Sequence, residues 1–182
     1  DDAATLGQTY VISPSIDSKV RKSFDAFMFQ VELFNKCGEL CKKQGMKFGY
    51  HNHDFEFKEK VNGELIYDLI LKHTDPSLVI QQLDFGNMYG AGARGDDWIN
   101  KYPGRFPSLH VKDEIKVAKG EMGDGYESTI LGDGVVNPKA IALLAKKIGG
   151  AHHYIVEQES YQDKTPLEAA KIDLARIKSW GI

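Results

Sequence analysis

Several residues able to bind a metal or move a proton stand inside or at the ends of apolar, β-rich runs, where a buried polar group is costly unless something pairs with it. His51 and His53 lie in the run Lys47–His53 and share one face by the strand period of two. Asp84 ends Val79-Ile80-Gln81-Gln82-Leu83, His110 and Lys112 share a face of Leu109–Lys112, and Glu157 and Glu159 share a face at the end of Tyr154-Ile155-Val156. In parallel α/β folds, ligands bind at the carboxyl ends of the strands, so these groups are expected to converge on one site. A His, an Asp, a second His and a Glu form a nitrogen and oxygen donor set for one divalent metal such as Mn, Zn, Co or Mg. Any one of them alone would suit a hydrogen-bonded core or rim residue, but strand-end candidates on successive strands favour a site. Lys112 and Glu159 suit a salt bridge across neighbouring strands as well as a substrate contact. Asp54 and Glu56, on the opposite face from the two histidines, are expected to be solvated or to face a helix.

The elements that must position these groups alternate strand and helix. Tyr10–Pro14 reads as a strand, and from Ser18 apolar residues recur at Val20, Phe24, Phe27, Met28, Val31 and Phe34, the spacing of an amphipathic helix that Gly45 closes. Lys47–His53 is the next strand, followed by a turn at Asn62-Gly63 and a helix over Glu64–Lys72. Leu78–Asp84, Leu109–Lys112 and Tyr154–Glu157 are further strands, with a short helix at Asp97–Tyr102 stopped by Pro103-Gly104. Asp113–Gly134 reads as a long Gly-rich loop, after which Asn137-Pro138 supply an N-cap and first residue for a helix over Lys139–Ile148. A last helix follows Thr165-Pro166. Such alternation predicts parallel βαβ units, five strands and an α/β fold.

The 182 residues carry 23 Lys and Arg against 26 Asp and Glu, a net charge of −3, which offers no general footprint for nucleic acid or an anionic membrane. No apolar run is long enough to span a bilayer. The start, Asp1–Leu6, looks like the tail of a helix ended by Gly7, as if earlier βα units preceded it. Any targeting segment would lie upstream, leaving cytoplasm and periplasm both open. Cys37 and Cys41, four apart in a helical pattern, are expected to be two buried thiols. Gly90-Ala91-Gly92-Ala93-Arg94-Gly95 fits G-x-G-x-x-G but follows its strand too late and meets Asp96-Asp97 where a pyrophosphate would sit. A loop over the site, with Arg94 reaching an anionic or polyhydroxyl substrate, is the better reading. No nucleotide-cofactor site is expected, and no G-x-S-x-G nucleophile elbow is present.

Phe48-Gly49-Tyr50-His51-Asn52-His53-Asp54-Phe55-Glu56-Phe57 resembles the sugar phosphate isomerase/epimerase superfamily, the xylose-isomerase-like TIM barrels. The resemblance continues through Gln82-Leu83-Asp84-Phe85-Gly86, Tyr102-Pro103-Gly104-Arg105, Leu109-His110-Val111-Lys112-Asp113, Leu131-Gly132-Asp133-Gly134-Val135-Val136 and Tyr154-Ile155-Val156-Glu157-Gln158. It covers almost the whole chain and implies one incomplete parallel (β/α) TIM-barrel domain over 1–182, with about five of the eight βα units of such a barrel and the N-terminal ones missing. It also implies one divalent metal held by Asp84, His110 and Glu157, with His51 in the place of a first metal-bound Glu.

The activity so implied is metal-dependent isomerisation or epimerisation of a sugar, by proton abstraction next to a carbonyl through an enediolate. Glu157, His51 and His53 are the expected catalytic groups, and His53, Lys112, Gln82, Arg94 and Glu159 the expected substrate contacts. The same enediolate could expel a β-leaving group, making the enzyme a lyase or hydrolase of keto-sugars or 3-keto-glycosides. A non-catalytic sugar-binding fragment is a third reading. The superfamily also includes endonucleases for abasic DNA, against which the net charge speaks. The expected partner is a small sugar, with neither nucleic acid nor membrane, and a second copy or the missing N-terminal part is expected to cover the open sheet edges.

Overall fold

The computed structural model describes residues 2–120 and 123–182. The chain divides into two compact units, Asp1–Gln82 and Leu83–Ile182. Its principal strands are β1 (Tyr10–Ser13), β2 (Lys47–His51), β3 (Val79–Asp84), β4 (Ser108–Val111) and β7 (His153–Val156), which form one five-stranded sheet in that order. The pairs β1/β2, β2/β3 and β4/β7 are parallel. Strand order following chain order, with helices between, is the α/β pattern of a TIM-barrel type, here with five strands.

In the first unit, α1 (Phe24–Lys43) buries Phe27, Val31, Phe34, Gly38 and Cys41, a stripe that repeats every three or four residues. Phe34 lies against Phe48 and Tyr50 of β2, ring centroids 5.5 and 5.4 Å away. The helix starts at Phe24 rather than near Ser18. Ser23 is extended, and its hydroxyl accepts the Ala26 N–H, so Val20–Lys22 is left as a separate 3-10 turn. Gly49 permits close approach of three strands, since a Cβ there would stand 2.6 Å from Ile12 Cδ1 and 2.8 Å from Ile80 Cγ1. Strand β2 ends at His51, two residues short of its expected length, because the His53 N–H is taken by the Glu56 carboxylate. A 3-10 turn, Phe55–Phe57, and a two-residue ladder, Lys60–Val61 against Glu64–Leu65, then lead into α2 (Ile66–His73). Both thiols are free, with Cys41 buried and Cys37 half-buried.

In the second unit, α3 (Phe85–Gly90) and α4 (Gly95–Lys101) follow β3. The segment Asp113–Gly134 is not a plain loop. It holds an antiparallel hairpin of β5 (Asp113–Lys116) and β6 (Tyr126–Thr129). Helix α5 (Pro138–Leu144) continues as a π turn through Ala145–Gly149. Pro138 is its first residue as expected, but Asn137 is left-handed (φ 62°) and makes no side-chain cap. The last helix, α6 (Pro166–Ser179), opens with a reciprocal cap between Thr165 and Glu168. Leu83, Phe85, Met88, Ile99, Phe106, Leu109, Val111 and Leu131 form the core of this unit. Among the described residues, no helix is long and apolar enough to cross a membrane.

Candidate active site

The second unit gathers five of the expected residues at the carboxyl ends of β3, β4 and β7. Asp84 is the last residue of β3 and also caps α3, its Oδ1 accepting the Asn87 N–H at 2.7 Å. Its Oδ2 lies 3.6 Å from His110 Nδ1, and that nitrogen also contacts Glu157 Oε2. The register places His110 beside Ile155, and the Glu157 N–H donates to the Val111 carbonyl at 3.2 Å, bringing the two side chains together just past the ladder.

Lys112 follows directly after β4 and is buried, with 1% of its surface exposed. Its Nζ donates to Glu159 Oε2 at 2.5 Å and to Asn87 Oδ1 at 3.3 Å, and lies 3.9 Å from Glu157 Oε1. Two supports hold this arrangement. The buried Ser128 hydroxyl of β6 accepts the N–H groups of Glu159 and Ser160 at 2.7 and 2.8 Å, so the hairpin grips the segment carrying Glu159. The Asp113 carboxylate accepts N–H groups from Gly132, Gly134 and Val136 and from its neighbour Glu114, all within 3.0 Å, which fastens the turn leading to α5.

The electrostatics call for positive charge. Burial alone lowers the His110 pKa, but hydrogen bonds to Asp84 and Glu157 and their charges raise it to about 9. Burial likewise opposes the Lys112 charge, and Asp84, Glu159 and Glu157 outweigh it, holding the ammonium well above its ordinary value. An imidazole nitrogen flanked by two carboxylate oxygens is a nitrogen and oxygen donor set that suits a divalent ion, and a cation there would relieve the mutual repulsion of the carboxylates.

In the first unit, His51 ends β2, is buried, and pairs in register with Gln82, which is also buried. His53 is not on the strand with it. The turn brings the two imidazoles edge to face instead, ring centroids 5.0 Å apart. Glu56 faces inward from that turn and is fully buried, while Asp54 pairs with Lys58 at 2.8 Å. Arg94 lies on the segment between α3 and α4. Its guanidinium lies 3.9 Å over the Tyr89 ring and donates to the Ala93 carbonyl, and no hydrogen bond or ion pair among the described residues joins it to Asp84, His110 or Glu157. Sequence reasoning missed Asn87 and Ser128. The spacing of Asn87 three residues after Asp84, as N3 of a capped helix, was the available signal for the first; nothing local marks the second.

A family model described as xylose isomerase-like TIM barrel matches residues 1–180. An inosose dehydratase of Bacillus licheniformis is 27% identical over 188 aligned positions, covering 94% of this chain and 61% of that protein. The crystal structure of a sugar phosphate isomerase/epimerase from Parabacteroides distasonis is 31% identical, with a TM-score of 0.79 over 97% of this chain and 59% of that one. A xylose isomerase-like TIM barrel protein from Mycobacterium smegmatis, in complex with magnesium, shares the fold at 16% identity and a TM-score of 0.69, covering 98% of this chain and 62% of that one. The chain thus spans about three fifths of the length of these proteins. With a match over nearly every residue and a strand order that agrees with it, the chain belongs to the xylose isomerase-like TIM barrel family.

Proposed function

We propose that this chain belongs to an enzyme that removes a proton next to the carbonyl of a cyclic polyol ketone and then expels a β-hydroxyl as water, a lyase reaction of the dehydratase kind. The observation that carries the reading is the buried Lys112 ammonium set between Glu157 and Glu159, beside His110. A base next to a fixed, desolvated cation is what enolisation needs, because the developing oxyanion is met by charge already in place. The similarity to inosose dehydratases supports the class of substrate.

In this reading Glu157 takes the α-proton, and the C–H electrons move into the enolate. Lys112 neutralises the enolate oxygen, and Glu159 holds Lys112. As the C–C double bond forms toward the β-carbon, the C–O bond breaks, and His53 gives the departing hydroxyl a proton, so one water leaves and an unsaturated ketone remains. His51 also belongs to the catalytic set, and Gln82 and Arg94 contact substrate hydroxyls. His51, Asp84 and His110, together with Glu157 at His110, would hold one divalent ion such as Mn, Zn, Co or Mg, which when bound polarises the carbonyl and its neighbouring hydroxyl. Residues 1–182 form one barrel domain in this reading, with β1 and β7, the outer strands of the sheet, paired by a second copy or by further βα units.

A second reading, isomerisation or epimerisation by reprotonation of the same intermediate, is supported by the 31% identity to the Parabacteroides protein. The test is incubation of the metal-loaded chain with a keto-inositol, followed by ultraviolet absorbance and mass. The expected product absorbs as a conjugated ketone and has lost one water. A product of unchanged mass would replace elimination by isomerisation, and no product from any keto-polyol would leave the sugar-binding fragment as the better account.

A further inference from the structure

The fully buried Glu56 carboxyl is placed on the 3-10 turn Phe55–Phe57, outside the roles assigned above. Its Oε1 accepts the Tyr50 hydroxyl at 2.5 Å and its Oε2 accepts the His53 N–H at 3.0 Å. These donors lie on either side of His51, so one carboxyl spans the segment that carries both histidines. The His53 N–H would otherwise be available to continue the ladder. Its capture by Glu56 turns the chain out of β2 after His51.

The consequence for the His53 ring is specific. It lies edge-on to His51 and nearly parallel to Phe55, with centroids 6.3 Å apart and an interplanar angle of 11°. Phe55 is backed on its own ring by the Arg21 guanidinium at 3.7 Å, and Arg21 is ion-paired with Glu59. Arg21 is therefore committed to Phe55 and Glu59, and among the described residues Glu56 is answered by hydrogen bonds and by no ion pair. A carboxyl buried with no ion pair of its own is unfavourable, and a fold that needed only to fill this space could do so with an apolar side chain.

We propose that Glu56 is a positioning residue for His53: by bracketing the Tyr50–His53 segment it fixes the imidazole between His51 and Phe55 in the orientation from which it acts on substrate oxygens. This rests on the assignment of His53 to the active site made above.

The test uses the whole chain with histidine labelled at the ring carbon, as wild type, Glu56→Ala, Glu56→Gln and Tyr50→Phe. Glutamine can accept from the His53 N–H and donate to the Tyr50 oxygen, so it keeps the bracket without the charge. In Glu56→Ala the His53 ring resonance is expected to shift or broaden while those of His152 and His153 stay in place. Turnover of a keto-inositol is expected to fall about 100-fold, the scale of losing a proton-transfer group. Its KM should change less than about threefold, since what is lost acts after binding. Glu56→Gln should recover both readouts. A folded Glu56→Ala with a wild-type His53 signal overturns the proposal, as does a Glu56→Gln variant impaired as deeply as Glu56→Ala. If Glu56→Ala does not fold, Tyr50→Phe decides: a disturbed His53 signal supports the bracket and an undisturbed one overturns it. The resonance is read without substrate or metal, so a wild type inactive on keto-inositols would count against the proposed reaction and not against the positioning.

Discussion

Gly86 and Lys112 compete for the same space. A Cβ on residue 86 would stand 2.6 Å from Lys112 Cγ and 2.7 Å from its Cδ. The buried lysine stem lies across the first turn of α3, and only a residue without a side chain lets it pass to Asn87 and Glu159. Glycine to alanine inside an exposed helix ordinarily stabilises by about 1 kcal/mol. Here the sign should reverse. Gly86→Ala is expected to cost about 1–3 kcal/mol, the usual scale of overpacking, and to lower turnover by displacing the ammonium. Chemical denaturation together with a keto-inositol assay checks both; an alanine variant more stable than wild type would contradict the contact.

The donor set around His110 predicts metal content independently of any activity. After loading with Mn, Co or Zn, about one ion per chain is expected by elemental mass spectrometry. Asp84→Asn and His110→Ala should each lose it. Because an ion that binds only the folded state stabilises it, the loaded wild type should also melt higher than the stripped protein, by an amount that grows with free metal. Neither variant should show that increment.

Much of this was legible in the sequence for one physical reason. Asp84, His110, Lys112, Glu157 and Glu159 interrupt or end apolar strand runs, and a polar residue there must be paired or functional, so strand register alone brings them together. The hairpin of β5 and β6 was not legible, because Asp-Glu-Ile-Lys and Tyr-Glu-Ser-Thr carry no apolar alternation. What secures it is tertiary: the Asp113 carboxylate and the Ser128 hydroxyl meet N–H groups of distant segments. Helix α3 was hidden by its two glycines and its short length, and its cap is the same Asp84 carboxylate that reads as a metal ligand. For His53 the strand period placed the side chain correctly beside His51 but for the wrong reason, since a carboxyl three residues later and not the pleat puts it there.

Glu56 also predicts a pH dependence of stability. Burial raises its pKa, hydrogen bonds from Tyr50 and His53 and its own backbone partly offset this, Asp54 raises it again, and it stands at about 7 against an ordinary value of 4.5. Tyr50, Tyr67 and Arg21 are the other ionisable groups coupled to this cluster. A carboxyl with a raised folded pKa contributes stability that is fully present below about 4.5 and is lost as pH rises through about 7. Wild type should therefore lose stability relative to Glu56→Gln between pH 5 and pH 8, by up to a few kcal/mol. Parallel melting curves across that range test it; a constant difference between the two proteins would show that the carboxyl titrates normally.

Ser128 links the hairpin to the site, and its removal should be felt at Lys112. The hydroxyl is fully buried and accepts two N–H groups, from Glu159 and Ser160. Ser128→Ala leaves both donors without that acceptor, at a cost of about 1–3 kcal/mol for each one left unsatisfied. Since the Glu159 backbone is one of the two, loosening it should also weaken the hold of its carboxylate on Lys112. A double-mutant cycle tests the link. If Ser128 acts on the site through Glu159, the activity losses of Ser128→Ala and Glu159→Gln should combine to less than their product, as expected for two residues in contact within one hydrogen-bond network. Multiplicative activity losses would mean that the hairpin supports the fold without setting the lysine.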